Sequence, residues 1–385
     1  YLSSGTRLIT STTTACRASR HWSHMSITIS GLHHVTAMAG RAQAAIEYYV
    51  RLLGLRLVKR TVNFDDPLTY HLYFGDARGN PGSVLSLFPW PGVGPAERGG
   101  SETTAVTFRV PPGALEYWRS TLDLHRQPFE VVSRFGTEVI AFADPDGVPL
   151  ELVEGTEPPA PAAPLAAPAA STQAGPQSDG ATHAGVSGED LTVDLLRPSR
   201  YWTGSPVDAE EAIMGLDAVT LSVWDPDAAV STLTDVLGLE LSGEEDGRHR
   251  LNVKGASNGL GSRLDVVRAP QSSATRLGTG SVHHVAFRVA DRPALVAARE
   301  VLLDAGLHPT NVKDRQYFQS VYFKDPNGVV LELATDGPGF TVDESLEELG
   351  LAFKLPGWLE PERQFFRSRL PVTASPEYAD RFGAP

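Results

Sequence analysis

Along residues 31–39, GLHHVTAMA alternates as a strand does; over 41–54, RAQAAIEYYVRLLG shifts to the three- and four-residue spacing of a helix that stops at Gly54. LRLVKRTVN (55–63), TYHLYFGD (69–76) and GSVLSLFPW (82–90) then return to strand patterning, with Gly or Pro between them. The same order of strand, helix and three strands recurs over 104–154, 215–268 and 281–334, so the pattern predicts four βαβββ units. The halves are duplicates. FADPDGVPLELVEG (142–155) matches FKDPNGVVLELATD (323–336), which puts Glu151 and Glu332 at equivalent positions, and GLHHVTAMA matches GLDAVTLSV (215–223). A single unit leaves one face of a small sheet open. Pairing units into a cupped sheet covers that face and creates a pocket, so the expected fold is α+β with two cupped-sheet modules.

Between the halves, residues 157–190 are dominated by Pro, Ala and Gly and carry almost no apolar side chain larger than Ala, which marks a linker. It separates an N-terminal domain over 25–156 from a C-terminal domain over 191–340, each of two units. The tail, 341–385, reads as helical: a helix from Asp343, a Pro-Gly break, and a second charged helix ending at Leu370. Residues 1–24 read as a leader outside the fold. They are rich in Ser and Thr, carry Arg7, Arg17 and Arg20 and no acid, and match a transit peptide as well as translated sequence upstream of Met25.

Composition narrows the function. With 46 acidic against 33 basic residues the net charge is -13, which disfavours nucleic acid as a partner. No apolar run reaches the roughly 20 residues that cross a bilayer, so the expectation is a soluble, cytoplasmic protein that does not engage membranes. A homo-oligomer is compatible with all of this. Cys16 is the only cysteine, so any metal must be held by His, Asp or Glu.

Four equivalent units permit a comparison within the chain. The inward first-strand positions are His34, Ala105, Ala218 and His284; the last-strand positions, four residues after the opening Gly, are Ser86, Glu151, Asp265 and Glu332. Pairing unit one with two gathers His34 and Glu151, while three with four gathers His284, Glu332 and Asp265. Pairing one with four, and two with three, collects His34, His284 and Glu332 around the small Ser86. Two imidazoles and one carboxylate on one face suit Fe(II) and leave positions open, which points to redox or Lewis-acid chemistry. The His284, Glu332, Asp265 set is the competing arrangement. Trp90, Phe318, Phe340 and Phe353 are candidate pocket walls, and His71 is a structural hydrogen-bonding residue that could line the pocket.

Through LHHVT, YHLYFGD, SVHHVAF, DPNGVVLELATDGPGF and LPGWLEPERQFFRSRLP, the chain resembles the vicinal-oxygen-chelate superfamily, and within it the hydroquinone ring-cleaving dioxygenases. The resemblance runs from about residue 30 to 372, apart from the linker. It implies one-with-four pairing and a triad of His34, His284 and Glu332 holding Fe(II), with Mn(II) as the alternative ion. It also implies catalytic roles for His33, Thr36, His283, Arg315 and Tyr322, with a small aromatic and O2 as substrates. Strand alternation alone turns His33 and His283 away from the ligand face. Two other functions use the same fold: a glyoxalase-type isomerase or lyase with Mn, Zn or Ni, and a metal-free aromatic-binding resistance protein.

Overall fold

The computed structural model describes residues 26–155, 200–254, 259–270 and 275–374; the expected leader (1–24) and linker (157–190) lie outside them. Unit one supplies β1 (Leu32–Ala39), α1 (Ala42–Glu47), β2 (Arg56–Asn63), β3 (Asp66–Gly75) and β4 (Val84–Pro89), and α1 runs into one π turn over Tyr48–Leu52. Unit two supplies β5 (Glu102–Val110), α2 (Leu115–Leu124), β6 (Phe129–Arg134), β7 (Thr137–Ala143) and β8 (Pro149–Glu154). Unit three follows with β9 (Gly215–Val223), α3 (Pro226–Ser231), β10 (Leu239–Glu245), β11 (Arg248–Val253) and β12 (Arg263–Arg268). Unit four is β13 (Val282–Val289), α4 (Arg292–Asp304), β14 (Lys313–Asp314), β15 (Gln319–Lys324) and β16 (Val330–Thr335).

Local chemistry fixes several of these boundaries. Asp291 caps α4 by accepting the Ala294 N–H, and Asp225 caps α3 through Ala228, each just ahead of a proline that suits the first helical turn. The duplicated Asp-Pro turns are alike in detail: Asp144 accepts the N–H groups of Asp146 and Val148, and Asp325 those of Asn327 and Val329. Gly147 and Gly328 follow at φ +96° and +91°, a left-handed conformation that costs glycine nothing.

Two eight-stranded sheets result, in the orders β14-β15-β16-β13-β1-β4-β3-β2 and β10-β11-β12-β9-β5-β8-β7-β6. The antiparallel pair β1–β13 joins unit one to unit four, and β5–β9 joins unit two to unit three. Each sheet therefore takes one unit from each half of the sequence. Outward positions such as Val35, Leu85 and Leu87 belong to the main core with Ile46, Tyr49 and Leu53, which buries the apolar stripe of the α1 segment. Inward positions line the cup. Among the described residues no helix is long and apolar enough to cross a membrane, which says nothing of strands.

The tail departs from expectation. Residues 343–351 form turns, and among the described residues the only α-helix after Pro356-Gly357 is α5 (Arg363–Arg369), preceded by a 3-10 turn over Glu360–Glu362. An amphipathic helix from Asp343 would turn its carboxylates to water; instead Asp343 (2.6 Å) and Glu344 both bind the fully buried Lys59 of β2. Gly350, at φ +80°, packs so tightly that a Cβ would lie 1.8 Å from the Leu57 carbonyl oxygen. From there Phe353 bridges to Arg60 and the Lys354 N–H bonds its carbonyl, so the tail covers the β2 edge and shields its unpaired backbone. Phe340 and Leu349 meanwhile fill one end of the first cup against Tyr73 and Tyr317.

Candidate metal centre and cavity

Register brings the triad together. Across the first sheet, His34 faces Ala286, Ala286 faces Glu332, and Glu332 faces Tyr322, so these residues share one row on the cup side. A parallel row runs Tyr73, Ser86, Thr36, His284. Ala286, fully buried between His34 and Glu332, leaves the space into which imidazole and carboxylate converge. His34 Nε2 lies 3.2 Å from His284 Nε2 and 3.3 Å from Glu332 Oε2, and His284 Nε2 lies 2.9 Å from the same oxygen. All three ligand atoms lie within 4.8 Å of one another.

Hydrogen bonding around the triad orients those atoms. Ser320 donates to Glu332 Oε1, while Oε2 is buried without a properly directed hydrogen-bond partner. His33 Nε2 lies 3.1 Å from the Thr335 carbonyl oxygen, which only accepts, so Nε2 carries the hydrogen. Burial, and then the neighbouring His34, lower the His33 pKa to about 3, so its ring is neutral and its Nδ1 is an acceptor. His34 Nδ1, 2.9 Å away, must then be the donor, which frees the His34 Nε2 lone pair toward Glu332. Two imidazole nitrogens and an orphaned carboxylate oxygen, converging in a buried space, fit a divalent cation of the kind that takes mixed nitrogen and oxygen donors.

Beside the triad opens a cavity of about 410 Å³, lined by His34, His71, His283, His284, Arg315 and Tyr322 and walled by Phe64, Phe88, Trp90 and Phe318. That is within the range of small-molecule sites and well above the roughly 150 Å³ that holds a benzene ring. Phe318 stands 5.2 Å from the His34 ring and Tyr322 stands 5.5 Å, edge-on, from the His284 ring. Arg315 Nε donates to the Tyr322 hydroxyl at 3.1 Å, and its Nη2 reaches Asp65 at 2.7 Å. Burial raises the Tyr322 pKa, so the phenol keeps its proton; burial opposes the Arg315 charge, but Tyr322 and Asp65 more than offset it.

All eight residues singled out in the sequence gather here. Alternation misjudged His33 and His283, because each imidazole reaches sideways to its neighbour: His283 Nδ1 lies 2.8 Å from His284 Nδ1, and its ring lines the cavity. Thr36 bonds Ser86 (2.7 Å), which bonds His71 (2.9 Å), which meets the Tyr73 hydroxyl (2.8 Å), a buried chain beneath the triad. Trp90 and Phe318 do line the cavity. Phe340 and Phe353 do not: the first packs on Tyr73 and Tyr317, and the second sits beside Tyr70 at the tail crossing. The competing ligand Asp265 belongs to the other sheet, where Arg250 grips it through two hydrogen bonds of 2.9 Å. Sequence reasoning missed Ala286, Ser320 and Asp65. Ala286 shares strand parity with His284, and Ser320 with Tyr322, so both could have been found; Asp65 lies in a turn and gave no signal.

Paired βαβββ units and a two-histidine, one-carboxylate cluster at the floor of one cup define a metal-compatible cupped-sheet protein with an aromatic-walled cavity. A model of the Glyoxalase/Bleomycin resistance protein/Dioxygenase superfamily matches residues 31–152 and 215–333, and the chain belongs to that superfamily. It is 36% identical over 341 residues to "Putative ring-cleaving dioxygenase MhqE" of Bacillus subtilis, covering 89% of this chain and 98% of that one. It is 31% identical to the chlorohydroquinone/hydroquinone 1,2-dioxygenase of Sphingobium indicum, with 86% and 93% covered. A crystal structure of a "putative dioxygenase" from Bacillus subtilis superposes with a TM-score of 0.77 at 32% identity, over 91% of this chain and 99% of the other.

Proposed function

We propose that this protein is a ring-cleaving dioxygenase that opens a hydroquinone or substituted hydroquinone with O2, using Fe(II) held by His34, His284 and Glu332. The convergence of those three ligand atoms on the floor of an aromatic-walled cavity carries this reading. Relatives named as ring-cleaving dioxygenases support it. When bound, a ferrous ion supplies Lewis acidity toward a phenolic oxygen and redox chemistry toward O2.

The chain's own groups would do the rest. With a metal on His284 Nε2, its Nδ1 would donate to His283 Nδ1 and leave the His283 hydrogen on Nε2, and the His283 ring lines the cavity. Burial, and then His284, lower the His283 pKa to about 3, so this hydrogen is that of a neutral imidazole. Tyr322 accepts from Arg315 and keeps its own O–H to give. His283, Tyr322 and Arg315 thus line the cavity as three donors suited to an anionic substrate oxygen, the arrangement that stabilises charge as it develops. Phe64, Phe88, Trp90 and Phe318 orient the ring and exclude water. Thr36 and His33 act below the cavity, holding Ser86 and the His34 tautomer.

The test is O2 uptake by anaerobically Fe(II)-loaded protein with hydroquinone, chlorohydroquinone, catechol and a thiol hemiacetal. Uptake with hydroquinones that His34→Ala abolishes is the expected result. Full iron occupancy without uptake on any aromatic, together with turnover of the hemiacetal, would replace the dioxygenase with a glyoxalase-type isomerase.

A further inference from the structure

At the cavity mouth, unit one and unit four meet through charge. Asp65 lies between β2 and β3 and accepts from Arg315 Nη2 at 2.7 Å and from Lys313 Nζ at 2.9 Å. Its placement is defined: the Asp65 N–H bonds Asn63 Oδ1 at 3.0 Å, and the adjacent Phe64 packs edge-on against Trp358 of the tail at 5.6 Å. All four charged side chains of the mouth line the cavity: Lys313 and Arg315 are balanced by Asp65 and Asp66. Their sum is zero. Hydrogen bonds from Arg315 and Lys313 outweigh the burial of Asp65 and keep its carboxyl below the ordinary range, so it is ionised at neutral pH.

Tyr322 measures how far this group lies from the triad. Its ring stands 5.5 Å from that of His284, and its hydroxyl meets Arg315 Nε. A substrate ring of the same width, anchored at the triad beside Tyr322, would therefore end next to Arg315. Arg315 uses Nε on Tyr322 and Nη2 on Asp65, which leaves Nη1 for a ligand. A neutral hydroquinone can use that donor. A ring bearing a carboxylate would meet cations already neutralised and would face Asp65 as a like charge.

We propose that Asp65 is a specificity-determining charge filter that tunes the cavity to neutral hydroquinones and against carboxylated ones. The proposal rests on the hydroquinone reading of the site and adds the charge of the ring it accepts. It also makes Asp65 a positioning residue for Arg315.

The experiment compares Fe(II)-loaded wild type, Asp65→Asn and Asp65→Glu on hydroquinone and on gentisate, the hydroquinone with a ring carboxylate. Both kcat/KM by O2 uptake and anaerobic binding by calorimetry are measured, with circular dichroism verifying the fold. Asp65→Asn keeps the shape and removes the charge, so the gentisate-to-hydroquinone ratio should rise by roughly tenfold or more and the gain should shrink with added salt. Asp65→Glu keeps the charge and should stay near the wild-type ratio. An unchanged ratio in a folded, active Asp65→Asn protein, or an equal shift in Asp65→Glu, overturns the filter alone. Wild type that turns over neither ring, while binding still shows the shift, overturns the dioxygenase and keeps the filter. Neither ring bound by any variant overturns both.

Discussion

Glu332→Gln separates a metal ligand from a packing residue. Glu332 is fully buried, its Oε1 is held by Ser320, and its Oε2 faces two imidazoles without a directed hydrogen bond. In metal-free protein the substitution should change little. Glutamine keeps the shape and the Ser320 contact, and its amide can donate to an imidazole, so the substitution removes a buried charge without leaving a new polar group unpartnered. With metal the outcome should be opposite, because the only anionic ligand of the triad is gone. An ion at 100 to 1,000 times its Kd stabilises the folded state by about 2.7 to 4.1 kcal/mol. Unfolding entropy near 2.1 cal/mol/K per residue, applied to the roughly 300 described residues unfolding together, converts this to a rise in Tm of about 4 to 7 °C. Calorimetric melting of chelated protein with and without anaerobic Fe(II) or Mn(II) reads both quantities. Wild type should show the rise, and Glu332→Gln should lose it while its metal-free Tm stays within about 2 °C of wild type. An equal metal-induced rise in both proteins would refute the assignment of Glu332 as a ligand.

Three further outcomes follow from named contacts. Lys59→Met leaves Glu344 buried and Asp343 largely buried without their cation, which should cost about 3 to 5 kcal/mol in a urea titration; Lys59→Met with Asp343→Asn and Glu344→Gln should recover much of it. Ala286→Leu should fill the space between His34 and Glu332, so the protein folds, at a cost of about 1 to 3 kcal/mol, but no longer takes up a divalent ion by equilibrium dialysis. His71 concerns pH. Burial, and then His34, hold its pKa well below the ordinary value, so the unfolded chain takes a proton near pH 6.5 that the folded ring refuses. The stability is therefore present above that pH and lost as pH falls below it, at up to about 1.4 kcal/mol per unit, and His71→Gln should flatten the slope measured in chelator.

How much of this was legible in the sequence depends on how far apart the interacting residues lie. The strands, the four-fold repeat and the Asp-Pro turns were readable because each is encoded within a dozen residues by period and turn chemistry. The triad was readable for a different reason: duplication places His34 and His284 at equivalent first-strand slots and Glu332 at a last-strand slot, so comparison within the chain reduced the candidates to two sets that only the pairing separates. Lys59 was not. Its partners Asp343 and Glu344 come from the far end of the sequence, and no local pattern distinguishes a lysine bound for burial from a solvated one. The same remoteness misled the tail, where a helix was expected from Asp343 but Lys59 instead draws Asp343 and Glu344 inward. For His33 and His283, alternation gave the backbone direction correctly but not the sideways reach of an imidazole to the next ring.

The second cup fills the same slots with ion pairs. There the last-strand acids are neutralised from within the sheet: Glu151 accepts from Thr107 at 2.8 Å and lies 3.6 Å from Arg134, while Asp265 binds Arg248 and Arg250. Asp217 on β9 is bound by Arg109 and Arg263. These pairs leave a void of about 20 Å³, scarcely room for one water. Packing alone is thus satisfied by filling a cup with arginine–carboxylate pairs. The first cup, with the same fold and the same register, instead keeps Glu332 Oε2 without a hydrogen bond and an open space of about 410 Å³ beside it. An unfilled cavity and an orphaned carboxylate oxygen both oppose stability, and the second cup shows that the fold does not require either. Their presence together in one cup and not the other supports the proposed metal site.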